Sequence, residues 1–477
     1  MQTKEEKKKI GITFKKYESK WFVEVLRKAE LLEYSNVSGC YIFKPRLYFM
    51  WETIQNFFNE ELKKEGVESA YFPLLIPETL LKKEKAHIHG FEPEVAWVTR
   101  AGNKELKEKL AIRPTSETII YSVYAKWIRS WRDLPLRLNQ WCNIVRWEFK
   151  NPIPLLRSRE FLWQEGHSCF ASKEEAEKEI ERIIEIYEKV YEEILAVPVI
   201  KGWKTEKEKF PGAIKTLTLE IFLPSGKAIQ GCTAHNLGQN FSKAFEIKFR
   251  DREEKENYVW QTSWGLSTRS IGIAIMMHSD DKGLVVSPKI ANPQIVIIPI
   301  FGSKEKEKVL KEAEKIKDKL KEFRVELDKR EYTPGYKFHD WELKGAPLRI
   351  EIGPKDIKNR QVVIVRRDSG KKEEVKVKEI NKKIKEILDD IHKSLYKKAK
   401  EFVEKNTVNV ENFQELIEKI KEKKLIKTEW CGKEKCEDTI KNKTKAKIIC
   451  IFSEKINGRC VCCNENASYA VYVARSY

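Results

Sequence analysis

Nowhere does this chain hold the roughly 20 consecutive apolar residues that a membrane-spanning helix requires, so no membrane role is expected. Its opening residues, MQTKEEKKK, lack the apolar core of a secretory signal. A cytoplasmic location is the expectation, with cysteines kept reduced or metal-bound rather than paired in disulfides. Methionine is scarce, at 4 in 477 residues, while charged residues make up 35% against the roughly 25% usual in soluble chains. Little methionine with abundant lysine, glutamate and isoleucine is a bias found in hyperthermophile proteins.

What is present is enough for several cores: 41% of the residues are hydrophobic, and the length predicts about three domains. Lysine plus arginine number 92 against 73 acidic residues, and the balance of +19 favours a polyanionic partner.

The stretch WCNIVRWEFKNPIPLLRSREFLWQEGHSCF, from Trp141 to Phe170, reads as a long β-hairpin with aromatic and β-branched arms. Pro152 and Pro154 break the ladder near a loop at Asn151–Pro154. Side chains alternate faces along a strand, so Arg146 and Glu148 are expected to point the same way. On the return arm Phe161, Trp163, Glu165 and His167 share a face. Charge on a buried face costs several kcal/mol unless it is paired, so these groups should meet each other or a ligand. A solvated sheet edge laced with ion pairs is the competing reading, and the interleaved aromatics favour a pocket.

Around this hairpin the chain reads as alternating elements. Trp21–Leu32 is a short amphipathic helix, and Arg46–Glu65 a longer one stopped by Gly66. Lys82–Lys109 is mixed and loop-like, and its His87 and His89 lack ligand partners at metal spacing. Thr115 is expected to cap the next helix. Ser172 and Glu175 form a capping box opening a helix to about Leu195. A strand at 294–300, a helix at 303–323 and a strand at 324–327 imply a parallel pair and an α/β domain. That unit has no glycine-rich phosphate loop, which excludes the usual nucleotide-binding βαβ unit.

Five of the ten cysteines cluster in the tail, in WCGKEKC (430–436) and RCVCCNENA (459–467). Four thiolates in a reducing compartment indicate a metal, and a mononuclear tetrahedral site favours structural Zn²⁺. Cys431 and Cys436 form the first pair. The second is Cys460 with Cys463, a C-x2-C knuckle, or alternatively Cys460 with Cys462. Cys40, Cys142, Cys169, Cys232 and Cys450 stand singly and read as core.

Four blocks in order carry a family resemblance: GVESAYFPLLIP (66–77) with Pro73, RPTSE (113–117), RWE with LRSREFLWQEGHS in the hairpin, and GLSTRSIG (265–272) with Arg269. With the cysteine tail and the terminal ARSY, the chain resembles prolyl-tRNA synthetases of the archaeal/eukaryotic type over essentially its whole length. The blocks are similar to motif 1, the amino-acid-binding TxE loop, motif 2 and motif 3 of class II synthetases. Only about 100 residues separate motifs 2 and 3, which leaves no room for the editing domain inserted there in bacterial prolyl enzymes.

The resemblance implies an α+β catalytic domain (residues 1–287) built on the class II antiparallel sheet with helices. It further implies an α/β anticodon-binding domain (288–398) and a small C-terminal zinc-binding α/β domain (399–477). It implies catalysis by Arg146 and Arg269, with Mg²⁺-bound ATP contacted by Arg146, Glu148, Arg157, Ser158, Gln230, Thr233 and Arg269. Proline would meet Thr115, Glu117, Arg146, Trp163, Glu165, His167, Phe210 and His235, with the ring between Trp163 and Phe210. A homodimer would form through the helix at 46–65 and the strand at 67–76, given the wide apolar stripe of that helix. tRNA(Pro) would be read through adjacent anticodon guanines, whose edges suit carboxylates and cations, by Glu342, Arg349, Lys355 and Asp356. Two alternatives remain open: another class IIa synthetase of threonyl or glycyl type, and a catalytically inactive RNA-binding paralogue. TSE at 115–117 and the Trp163 slot argue against the first, and intact Arg146, Glu148 and Arg269 against the second.

Overall fold

The structure is a computed structural model and describes residues 12–17, 20–87, 94–454 and 457–477. Its backbone is an eleven-stranded sheet. Near one edge, beside the short strand Glu68–Ser69, the arms Leu136–Val145 and Glu160–Phe170 pair antiparallel, with Gln140 opposite Glu165 and Cys142 opposite Trp163. The return arm pairs with Trp260–Ser267, which pairs with Lys227–Gly238, which pairs with Lys215–Leu223. Alternation holds along the return arm, and Phe161, Trp163, Glu165 and His167 all open into one cavity. It does not reach Glu148: the outgoing strand ends at Val145, and Glu148 lies exposed in the connection that follows.

Beneath the sheet lies the helix Lys173–Lys189, started by Ser172: its Oγ accepts from Glu175 N at 3.3 Å, and Glu175 accepts from Ser172 N at 3.1 Å. It continues as one π-helical turn, Val190–Ile194. The helix Pro45–Lys64 buries Leu47, Met50, Trp51, Ile54, Phe58 and Leu62 in the same core. Phe58 stacks on Tyr187 at 5.1 Å and Trp51 meets Trp141 edge-on at 5.3 Å. Each such side chain contributes roughly 1.5–3 kcal/mol by leaving water. The stripe that was expected to face a second subunit is therefore consumed within one chain.

The segment expected to be loop-like from Lys82 to Lys109 contains the end of a helix, Glu78–His87, and an antiparallel ribbon of Trp97–Ala101 and Lys104–Ile112. The ribbon is largely exposed on both faces, so charge falls on both and there is no apolar alternation to read. Its two-residue turn, Gly102-Asn103 with Gly102 at φ +60°, was the available signal. His89 lies outside the described residues. The expected strand at 67–76 reduces to two short pieces, Glu68–Ser69 and Leu75–Pro77.

The second domain has five strands, in the order Val325–Leu327, Ile295–Pro299, Leu348–Ile352, Gln361–Arg366 and Lys372–Lys376. The first three are parallel, joined by the crossover helices Lys306–Lys319 and Pro334–Lys344, and the last two antiparallel. The helix Ile380–Asn406 then runs unbroken through position 399. The tail adds its strands to the catalytic sheet: Lys447–Glu454 pairs with Ile200–Trp203 at Ile451 and Trp203, and Lys227 and Ala228 pair parallel with Arg475 and Ser476. Among the described residues no helix is long and apolar enough to cross a membrane.

Candidate active site

A cavity of about 310 Å³ opens on the exposed face of the central strands. Of the residues that the family resemblance implied for the site, Thr115, Glu117, Arg146, Trp163, Glu165, His167, Phe210, Gln230, Thr233, His235 and Arg269 line it. Glu148, Arg157 and Ser158 do not. Arg157 lies over the Phe149 ring at 5.7 Å, and Ser158 is buried. Arg157 is nevertheless close enough that its charge, with that of Arg146, disfavours the protonated form of Arg269, whose own burial is the largest influence.

At the pocket floor Glu165, 2% exposed, sits in a hydrogen-bond network. Ser116 donates to it from both Oγ and backbone N, Gln140 Nε2 donates at 2.9 Å, and His167 Nε2 lies 3.1 Å away. Tyr121 OH meets His167 Nδ1 at 3.0 Å. Burial opposes ionisation of Glu165, but bonds from His167, Ser116 and Gln140 outweigh it and hold the carboxyl below its usual range. Burial likewise opposes charge on His167, and Glu165 and Glu117 overcome it, raising the imidazole. Glu117 is pushed up, by burial first and by Glu165 against the pull of His167. Thr115 does not cap the following helix: Ser116 occupies the N-cap position without a side-chain cap bond, and the Thr115 hydroxyl donates to Glu117.

The pocket wall is aromatic. Phe210 stacks on His235 at 4.5 Å. His235 lies between the hydroxyls of Thr216 at 2.9 Å and Thr233 at 3.1 Å. Burial lowers it to about 3, helped by the charges of His167 and Arg146, so it is neutral near pH 7. The Arg146 guanidinium lies 5.4 Å from the Trp163 ring centre, with its Nε tied to Pro114 O at 2.9 Å. Arg269, at the start of the helix Arg269–His278, is fixed by Leu156 O at 3.1 Å and Gln230 O at 3.3 Å. Both forks are aimed by backbone carbonyls, which orients them before any anion arrives.

The sequence did not single out Ser116, Tyr121, Gln140 or Thr216. Gln140 was recoverable, because antiparallel register places it opposite Glu165. Thr216 was recoverable in the same way, because it stands opposite His235 in the next antiparallel pair, whereas Tyr121 reaches the site only through tertiary packing. Cys142, read as core, stands behind the slot: Trp163 Nε1 donates to its Sγ at 3.3 Å, and the thiol lies 3.5 Å from Glu165.

In the tail the sulfurs of Cys431, Cys436, Cys460 and Cys463 all lie within 4.8 Å of one another. Metal–sulfur bonds of about 2.3 Å in tetrahedral geometry would set sulfurs about 3.8 Å apart. Cys431 and Cys436 are 3.6 Å apart, and Cys463 and Cys431 3.8 Å. The alternative, Cys462, turns its sulfur onto the carbonyl of Cys436 instead.

The four expected anticodon residues do not converge. Glu342 and Arg349 border one 170 Å³ hollow with Lys282, Arg366, Arg367 and Lys372. Lys355 and Asp356 follow the far end of the strand Leu348–Ile352, a span of about 17 Å for five residues. Asp356 accepts from Gly353 N at 2.9 Å and so serves a helix start.

Residues 97–278 match the tRNA synthetase class II core domain (G, H, P, S and T), residues 294–387 an anticodon binding domain, and residues 413–477 the C-terminal domain of prolyl-tRNA synthetases. The fold and its arginine-lined cavity thus define a class II aminoacyl-tRNA synthetase with an anticodon-binding domain. The chain is 46% identical to a proline–tRNA ligase of Natranaerobius thermophilus, over 96% of each chain. It is 49% identical to a cytoplasmic proline–tRNA ligase of Arabidopsis thaliana, over 92% of this chain and 85% of that one. The crystal structure of a prolyl-tRNA synthetase from Cryptosporidium parvum, complexed with halofuginone and AMPPNP, superposes with a TM-score of 0.94 at 44% identity, covering 98% of this chain and 100% of that one. The chain belongs to the prolyl-tRNA synthetases: it activates proline with ATP and transfers it to tRNA(Pro). The threonyl, glycyl and inactive alternatives find no support in these likenesses.

Proposed function

We propose that the cavity holds the proline zwitterion and the ATP phosphates side by side. The observation that carries this is the meeting of buried carboxylates, Glu117 and Glu165, with fixed guanidiniums, Arg146 and Arg269, in one aromatic-walled space. Thr115 and Glu117 accept from the secondary ammonium, Trp163 and Phe210 flank the ring, and Glu165, His167 and His235 form the polar wall. Arg146 grips both the substrate carboxylate and the α-phosphate, and Arg269 clamps the γ-phosphate. Gln230 and Thr233 complete the nucleotide site, with Glu148 on the adenine amino group and Arg157 and Ser158 near the adenine and γ-phosphate. Glu148, exposed on the connection after Val145, has to come to the nucleotide when it binds. Mg²⁺ arrives with ATP and neutralises its phosphates. No general base is needed, since the attacking carboxylate is already ionised.

Cys431, Cys436, Cys460 and Cys463 are proposed to hold a structural zinc, with no position left open for chemistry. Two copies are proposed to pair through the segment at 67–76, where Tyr71 is 70% exposed, rather than through the helix stripe. A cytoplasmic location is proposed, since the similar Arabidopsis thaliana enzyme is a cytoplasmic one.

Pyrophosphate exchange tests the cavity. Exchange should respond to proline, weakly to the smaller alanine and cysteine, and not to threonine, because a slot cannot exclude what is smaller than its ligand. Arg146→Ala should lower it by about 100-fold or more with unchanged circular dichroism. A loss of less than about tenfold would remove Arg146 from the reaction.

A further inference from the structure

Phe210 lies in the loop 204–214, of which Glu208, Lys209, Phe210 and Pro211 line the cavity. The start of that loop and Phe210 are both tied to Thr216: Lys204 N donates to its carbonyl at 2.8 Å, and Phe210 N to its Oγ1 at 3.0 Å. The middle of the loop is held by the tail. Thr205, 1% exposed, donates from Oγ1 to Glu437 at 2.8 Å, and Glu437 is itself 7% exposed. Lys207 bridges Glu434 at 3.0 Å and Asp438 at 2.6 Å. Lys447 reaches Glu208 at 2.9 Å, and Lys204 reaches Ile449 O at 3.0 Å.

Glu434, Glu437 and Asp438 stand at i, i+3 and i+4 and therefore form one face of the helix Glu434–Thr444. Three carboxylates on one face repel each other unless something answers them. What answers them is the loop, more than 220 residues away in sequence. The first turn of the same helix carries Cys436, so the metal-binding cluster and the loop share a rigid support.

We propose that this acidic helix face is a clamp that sets the proline pocket, with Glu437 and Thr205 as positioning residues acting through Phe210. Closed on the loop, the clamp holds the Phe210 ring against His235 before proline arrives. Released, the loop keeps its ends but loses the fixed position of the ring, and proline must order it on binding. The cost falls on proline and not on ATP, because none of the ATP-site residues is on the loop: Arg269 starts the helix Arg269–His278, and Gln230 and Thr233 lie on the strand Lys227–Gly238. This rests on the reading of Phe210 as part of the proline pocket.

The test is steady-state pyrophosphate exchange by the full-length enzyme, with proline and ATP varied in turn. Glu437→Ala and Thr205→Val should raise KM for proline by about five- to tenfold and leave KM for ATP within about twofold. Glu437→Gln retains an acceptor for Thr205 and should restore the proline KM. The double variant Lys207→Ala, Lys447→Ala breaks only the more exposed ion pairs, so it keeps the test available should Glu437→Ala fold poorly. It should move the proline KM in the same direction with an unchanged melting temperature. The clamp is overturned if the proline KM stays within about twofold in the folded variants, or if the KM values for proline and ATP rise together and Glu437→Gln does not separate them. Phe210→Ala is the control. An unchanged proline KM there removes the pocket reading itself, whereas a raised KM with silent clamp variants removes only the clamp.

Discussion

The catalytic cavity and the face of the anticodon domain are furnished with the same residue types, arginine and glutamate, to opposite effect. In the cavity Glu165 is 2% exposed and every bond it makes serves to keep it charged. On the anticodon domain Glu342 is ion-paired at 3.0 Å to Lys282, whose side chain is 64% exposed, while Arg349 is itself largely buried and folds back onto Glu351 at 2.8 Å. Buried charge has to be specified completely, because an unpaired member costs several kcal/mol, whereas surface pairs are worth at most about 1 kcal/mol and form and part freely. A buried constellation therefore announces its function, and an exposed one need not.

The tail cysteines sharpen this contrast most, because two neighbours there differ only in where their sulfurs point. Cys431→Ser should abolish retention of about one zinc per chain and cost several kcal/mol of stability, seen as a large fall in melting temperature and a zinc content near zero. Cys462→Ser should retain the metal, since that sulfur faces the Cys436 carbonyl. Loss of zinc from Cys462→Ser with retention in the variant Cys463→Ser would reverse the ligand assignment.

How far such features were legible follows physical lines. The face Phe161, Trp163, Glu165 and His167 was readable because a strand's period of two is enforced by burial. The same rule misled at Glu148, since nothing in RWEF marks where the ladder stops. The ribbon at 97–112 was invisible as strand because it is wet on both faces. Thr115 and Ser116 are both good caps, yet neither hydroxyl caps the helix, because the cavity turns one onto Glu117 and the other onto Glu165. That the tail would join the catalytic sheet, through Ile451 and Trp203, could not be read at all, because pairing so distant in sequence leaves no local pattern. The same holds for Thr205 and Glu437.

Buried histidines carry the comparison to pH. His235 is lowered to about 3 and His278 to about 4, each chiefly by burial. A depressed histidine means that the unfolded chain takes a proton the native one refuses. Stability is thus full above about pH 6.5 and falls as pH drops toward 4, by about 1.4 kcal/mol per unit for each group. His167 is raised, so its contribution is present on the acid side and lost only as pH rises through its folded value. Guanidinium unfolding across pH 7 to 4.5 should show the decline. His278→Asn, which can still donate toward Leu195 O, should flatten it by one proton's slope, whereas an unaltered slope would mean that His278 is protonated in the native state.

The smallest effect is expected on the anticodon face, and there the comparison can break. If the face is only general charge, no single substitution at Glu342, Arg349, Lys355 or Asp356 changes tRNA kinetics. If the face reads bases, Glu342 and Arg349 matter together, since they border one hollow, and Lys355 does not matter with them, since it lies beyond the far end of a five-residue strand. A guanine edge offers two adjacent donors that suit the Glu342 carboxylate, and the ion pair with Lys282 must open to present it. A good base contact is worth about 1–3 kcal/mol, so Glu342→Ala should raise KM for tRNA(Pro) by about tenfold while proline-dependent exchange without tRNA is unchanged. Lys355→Ala, which removes a phosphate-class contact at most, should change it by no more than about threefold and lessen the salt dependence of tRNA binding. Equal small effects from both would leave the face as general electrostatic attraction for RNA, and a large effect from Lys355→Ala alone would move base reading to the other end of the strand.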